Sequence, residues 1–261
     1  MLKPRIIPVL LVSNGGLVKT VRFSDPKYVG DPVNAVKIFN EKNVDELVLI
    51  DIEATSKKLE PNYALIERVA IESRMPLCYG GGIKTLDQAK RIISLGVEKI
   101  SISSEAISNP NLISDIASFL GSQSVAVVLD VRQIDSQSYI FTNNGTKNTN
   151  INTLTMAAIV GNIGAGELII NSIDRDGTMM GYDLDLITKI YSMIQIPMTA
   201  IGGAGNLKHM DLLFNRCGIM GAGAGSLFVF KGPYKAVLIN YPTRAEKDIL
   251  FNSSQVNILR H

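Results

Sequence analysis

A chain of 261 residues, 46% of them hydrophobic, is long enough for one large closed core or for two modest domains. With 26 basic and 24 acidic residues the formal charge is +2, which argues against a nucleic-acid footprint and against a polybasic membrane anchor. The cysteines, Cys78 and Cys217, sit apart in apolar stretches, and the histidines are His209 and His261, so neither a disulfide framework, a multi-histidine metal site nor a Ser–His–Asp mechanism is expected.

The first element is the run Ile6–Val12, whose length suits a buried strand rather than a signal peptide or membrane span, and the protein reads as cytoplasmic. Ser13–Gly30 follows as a long loop containing glycine, expected to be a mobile lid that carries Lys19 over a bound anion. A helix over Pro32–Asn43 leads to the second run, Glu46–Ile52, which closes on Asp51. After a helix at Tyr63–Arg74, the run Pro76–Tyr79 ends in Gly80, Gly81 and Gly82. The helix Thr85–Leu95 precedes Lys99–Ser101, which is followed by Ser103 and Ser104. Asn109–Phe119 is helical, and Ser124–Val131 is the fifth run, with Asp130 near its end. Arg132–Lys147 reads as a hairpin that turns at Asn143, Asn144 and Gly145. A helix at Asn152–Gly164 leads to Glu167–Ser172, then Asp174, Asp176 and Gly177. Helices at Leu184–Ile194 and Leu207–Arg216 flank Pro197–Ile201 and its Gly202, Gly203, Gly205 turn, and Gly218–Met220 is read as the eighth strand.

Near-continuous apolar runs are buried on both faces, as parallel strands are. Eight of them alternating with helices predict an α/β fold, a (β/α)8 TIM barrel spanning residues 1–261 as one domain. The chain also repeats itself. Ser124–Val131 aligns with Arg5–Val12, Gly166–Gly177 with Asp45–Thr55, and Gly202–Gly205 with Gly80–Ile83. A nearly constant offset of about 120 positions implies two half-barrels, about 1–122 and 123–240.

In this fold chemistry sits where strands end. Glycine clusters after strands three, seven and eight let backbone N–H groups approach an anion, and the helices that follow add a favourable dipole. Gly81, Gly82, Gly202, Gly203, Gly225 and Ser226 are therefore candidate phosphate contacts, with Ser103 and Ser104 completing a second cradle. Two cradles imply an elongated, phosphorylated small molecule. Asp51, Asp130 and Asp176 (beside Gly177) stand at strand mouths, where an aspartate serves as general acid/base or hydroxyl binder. Asp130 is the candidate catalytic group, and its repeat partner is Leu11, which cannot transfer a proton. At the opposite end, Arg5, Glu46, Lys99 and Glu167 fall at the starts of strands one, two, four and six, positions that can share one interior layer as a ring of charge.

Together, GLVKT around Lys19, GDPV at Gly30–Val33, DELVLIDI at Asp45–Ile52, GGGI at Gly80–Ile83, NSIDRDGTMMGYD at Asn171–Asp183 and IGGAGNLKH at Ile201–His209 resemble the cyclase subunit of imidazole glycerol phosphate synthase, of the hisF type, over essentially the whole chain. The resemblance implies a partner glutaminase of the hisH type at the barrel bottom, with Arg5, Glu46, Lys99 and Glu167 as an ammonia gate. It implies no cofactor and no metal. The family's cyclisation uses two aspartates, and here those positions are Asp130 and Leu11, with further departures at Ser13, Asn14, Ser103 and Asn171. The chain is thus most similar to hisF-like paralogues associated with sugar amidation in surface-polysaccharide loci. Three functions are open: an ammonia-channelling barrel for such amidation, a synthase subunit forming imidazole glycerol phosphate and AICAR from PRFAR and ammonia, or a non-catalytic scaffold that activates its glutaminase.

Overall fold

The computed structural model describes residues 3–258. Eight strands form the barrel wall: β1 (Arg5–Ser13), β2 (Leu47–Asp51), β3 (Leu77–Gly80), β4 (Lys99–Ile102), β5 (Val125–Ile134), β6 (Glu167–Ser172), β7 (Met198–Ile201) and β8 (Gly221–Ala224). Each pairs in parallel with the next, and β8 returns to β1 with Arg5 opposite Gly221, which closes the ring. The helices α1 (Pro32–Glu41), α2 (Tyr63–Glu72), α3 (Leu86–Ser94), α4 (Asn111–Leu120), α5 (Thr153–Asn162), α6 (Leu184–Tyr191) and α7 (Leu207–Cys217) lie between them, and α8 (Arg244–Ile258) follows the last strand. This is the (β/α)8 barrel. Among the described residues no helix is long and apolar enough to cross a membrane.

The two-residue period of a strand divides each apolar run between two cores. On β1, Ile6, Leu10 and Val12 pack outward into the layer beneath the helices. Ile7 and Val9 point inward, joining Val48, Val128, Ile169 and Ile201 in a separate barrel interior. Local chemistry fixes where helices begin. The Asp31 carboxylate accepts from Asn34 N ahead of Pro32 in α1, and Thr85 and Gln88 form a reciprocal capping box on α3. Asn152 and Asn206 cap α5 and α7 in the same manner.

Two features differ from the sequence expectation, and a third falls where the sequence carried none. Gly218–Met220 is not the eighth strand. Gly218, at φ 71°, terminates α7, and the strand is Gly221–Ala224, a run of small residues with little strand propensity. Its smallness is steric: a Cβ on Gly221 would fall inside the Thr199 hydroxyl, and one on Gly223 would lie 2.7 Å from Ile201 Cγ1. Second, Ser13–Gly30 is regular. β1 runs into the antiparallel strands Gly16–Val21 and Ser24–Gly30. The expected hairpin after β5 is present in the second half: Gln137–Thr142 pairs with the end of β5 and with Lys147–Asn152, and Asn143, Asn144 and Gly145 turn with positive φ. Third, α8 and the segment before it buttress the barrel base. Tyr241 donates to Ile6 O at 2.8 Å, and Lys247 Nζ lies 2.6 Å from Asp45 Oδ1.

Candidate functional site at the barrel mouth

The carboxyl ends of the strands surround a cleft that contains Lys19, Asp51, Asp130, Asn171 and Asp176 together with both glycine cradles. The first cradle turns at Gly81 (φ 119°), where a Cβ would press against the Asp51 backbone. The second turns at Gly202 and Gly203, with Gly203 O accepting from Gly181 N at 2.7 Å. Gly225 and Ser226 follow β8 and line the same cleft, as do Gly82, Ser104 and Gly177.

Lys19 does not swing above the mouth. It is buried, 5% exposed, on the strand Gly16–Val21, and its ammonium donates to the Val9 carbonyl and abuts Gly225. Burial lowers its pKa to about 8 against the pull of Asp176. Asp176 accepts from Thr20 Oγ1 at 2.7 Å and from Phe23 N at 3.3 Å, so it pins the first hairpin. Burial nevertheless raises its pKa, outweighing those bonds and the nearby Lys19 charge. Asp51 is also engaged: its Oδ1 accepts from Glu53 N and Ala54 N at 2.9 and 3.0 Å, capping the turn after β2.

Asp130 is the centre of a polar chain across three adjacent strands. Asn171 Nδ2 on β6 donates to its Oδ1 at 2.8 Å, and the Ser103 hydroxyl, just past β4, donates to Oδ2 at 3.1 Å. The Ser103 hydroxyl, expected in the phosphate cradle, lines the cleft and donates to the aspartate. Burial pushes the Asp130 carboxyl up to about 6, the two donors hold it from rising further, and Asp176 adds a smaller upward push. Register explains the pairing, since Asn171 lies directly opposite Asp130. In the first half the equivalent register places Leu11 opposite Ile50, and both pack against the apolar interior. One half of the mouth is thus polar at this level and the other apolar.

At the opposite end the four expected charges meet. Arg5 bonds Glu46 and reaches Glu167 at 2.7 Å, while Lys99 reaches Glu46 at 2.9 Å and Glu167 at 2.5 Å. Each acid contacts both bases and each base both acids. Burial opposes the Glu167 charge, but Lys99 and Arg5 overcome it and hold the carboxyl down at about 2. Burial also opposes the charges of Arg5 and Lys99, and the two glutamates reverse this, raising both pKa values. The sequence reading missed Thr199, whose hydroxyl donates to Glu167 Oε1 at 2.5 Å, and the role of Asn171. Each stands at an inward position of its strand, which register reveals and composition does not. Between ring and mouth lies the apolar interior, including Cys78, whose thiol burial pushes up to about 12. Among the described residues no cluster of His, Cys, Asp or Glu is placed to hold a metal ion.

Closed parallel strands, small-residue turns after β3, β7 and β8, and acidic groups at the strand ends define a (β/α)8 barrel with its candidate site at the carboxyl face. The chain belongs to the histidine biosynthesis protein family, whose model matches residues 5–234. It is 57% identical over 253 residues to a protein of Leptospira borgpetersenii provisionally named imidazole glycerol phosphate synthase subunit HisF, covering 96% of this chain and all of the relative. A Vibrio vulnificus protein with a provisional name that numbers it as a third HisF is 53% identical over 249 residues, 95% and 96% of the two chains. The imidazole glycerol phosphate synthase subunit HisF of Streptococcus mutans is 40% identical over 229 residues, 87% and 91% of the two chains.

Proposed function

We propose that this barrel is the ammonia-receiving member of a glutamine amidotransferase pair. A hisH-type glutaminase docks at the charged base, ammonia passes through the apolar interior, and an anionic acceptor is held at the mouth for amidation of a surface-polysaccharide sugar. The observation that carries this reading is the mouth's asymmetry, with Asp130 and Asn171 on one side and Leu11 and Ile50 on the other. Cyclisation by a pair of aspartates needs a proton carrier in both halves, and Leu11 supplies none. The ion ring and the apolar interior support a retained ammonia route, because neutral ammonia crosses apolar surface at far lower cost than ammonium does. Relatives named as synthase subunits support a partnered role.

The test supplies glutamine labelled in the amide to cells that hold the barrel, its glutaminase, the separate amidating enzyme and the sugar acceptor. Label is expected in the polysaccharide sugar. Lys99→Ala should uncouple glutamate release from labelling while the two proteins still co-purify. A second reading, synthase chemistry run by Asp130 alone, is favoured by Lys19, Asp130 and Asp176 sharing one cleft. With PRFAR and ammonium salt, the preferred reading expects turnover about 10² to 10⁴ below that of a synthase with both acid/base groups. Robust formation of imidazole glycerol phosphate would overturn it in favour of the second.

A further inference from the structure

Three observations single out Asn171. It sits in register with Asp130 and donates to it, while the equivalent strand positions in the other half hold the apolar contact of Leu11 with Ile50. Its own Oδ1 is buried and has no hydrogen-bond partner among the described residues. A buried unsatisfied carbonyl is a standing cost to the fold, and an apolar side chain of similar volume would remove it. Ser103 supplies the second donor, on the opposite oxygen, so the carboxylate is gripped from both flanks with its plane fixed.

We propose that Asn171 is a positioning residue, holding the Asp130 carboxylate ionised and oriented as an acid/base group of the mouth. The inference rests on the reading of Asp130 as the acid/base group. It is independent of whether ammonia traverses the barrel or which acceptor is used.

The surroundings of Asp130 leave few other groups to take this part. The charged side chains lining the same cleft are Lys19, Asp51, Lys84, Glu105 and Asp176. Of these, only Asp176 bears on the Asp130 carboxyl, disfavouring its charge. Lys19 faces Val9 O and Asp176, and Arg132, two residues along β5, stacks over Phe141 beside Asp174. Among the described residues no cation compensates Asp130, so its two neutral donors carry the stabilisation of the charged form.

The experiment is a carboxyl carbon NMR titration of the whole chain with ¹³C-labelled aspartate, the Asp130 resonance being assigned by its loss in Asp130→Asn. It needs neither glutaminase nor acceptor, so its outcome is separable from that of the labelling experiment. The natural protein should titrate near pH 6. Asn171→Leu should raise the midpoint by about one pH unit, and Asn171→Thr, which restores a donor, should bring it part of the way back. The urea midpoint provides a second reading. Leu should leave stability near pH 4 unchanged or higher and lower it at pH 8, because only the ionised carboxylate misses the amide. An unshifted Asp130 midpoint in folded Asn171→Leu, or a stability loss equal at both pH values, would overturn the proposal and leave Asn171 as packing.

Discussion

At the scale of single residues, small side chains and buried charges set the limits on change. Gly221 faces the Thr199 hydroxyl, which is itself bonded to Glu167, so a methyl group there displaces a member of the floor network. Gly221→Ala is expected to cost about 1–3 kcal/mol of stability, read as a lowered urea midpoint, and Thr199→Ser should recover little of it because the hydroxyl stays. Which residues were legible in sequence follows from what makes a residue conspicuous. Arg5, Glu46, Lys99 and Glu167 were visible because each interrupts an apolar strand entry, and Asp130 because it ends one. Thr199 and Asn171 were not, since a threonine or asparagine in a strand is ordinary. Their significance lies in the partner across the sheet, which depends on register.

The elements show the same division. Strands with apolar runs and helices with capping residues were placed within a few residues, because burial and caps leave local signatures. The eighth strand was misplaced for want of a side-chain signal: it is Gly and Ala throughout, held by its neighbours on both sides. The first hairpin was read as a mobile lid because Ser13–Gly30 is long and contains glycine, and only pairings such as Leu17 with Gly30 reveal a ribbon. Caps predict their own loss. Asp31→Ala removes the acceptor for Asn34 N at the start of α1 and should destabilise the protein by about 1 kcal/mol, measured as a shift in denaturant midpoint with the slope unchanged. The second hairpin reaches across the mouth, with Asn144 Nδ2 donating to Ile52 O at 2.6 Å, which ties the two halves at the top.

For the whole molecule, the floor ring determines the response to acid. Glu167 is held near 2, below its unfolded value of about 4.3, so the stability it contributes is complete above that value and is lost as pH falls from about 4 towards 2. Urea midpoints followed from pH 7 to pH 2.5 should therefore fall steeply below pH 4, and Glu167→Gln, less stable at pH 7, should show a flatter fall. Lys99→Met, which leaves two buried carboxylates with one cation, should cost about 3–5 kcal/mol at neutral pH.

The uneven mouth has a further consequence, for handedness of binding. A barrel with matching halves offers a molecule bearing an anion at each end two equivalent poses, related by a half-turn, and only one presents the reactive atom correctly. The polar pair Asp130 and Asn171 on one side, against Leu11 and Ile50 on the other, removes that degeneracy at this level of the mouth. One well-made hydrogen bond to a charged group, about 1.5–3 kcal/mol, favours one pose roughly tenfold to more than a hundredfold. By this arithmetic, a mouth with Leu11 and Ile50 facing Asp130 and Asn171 is expected to load such a molecule in one direction.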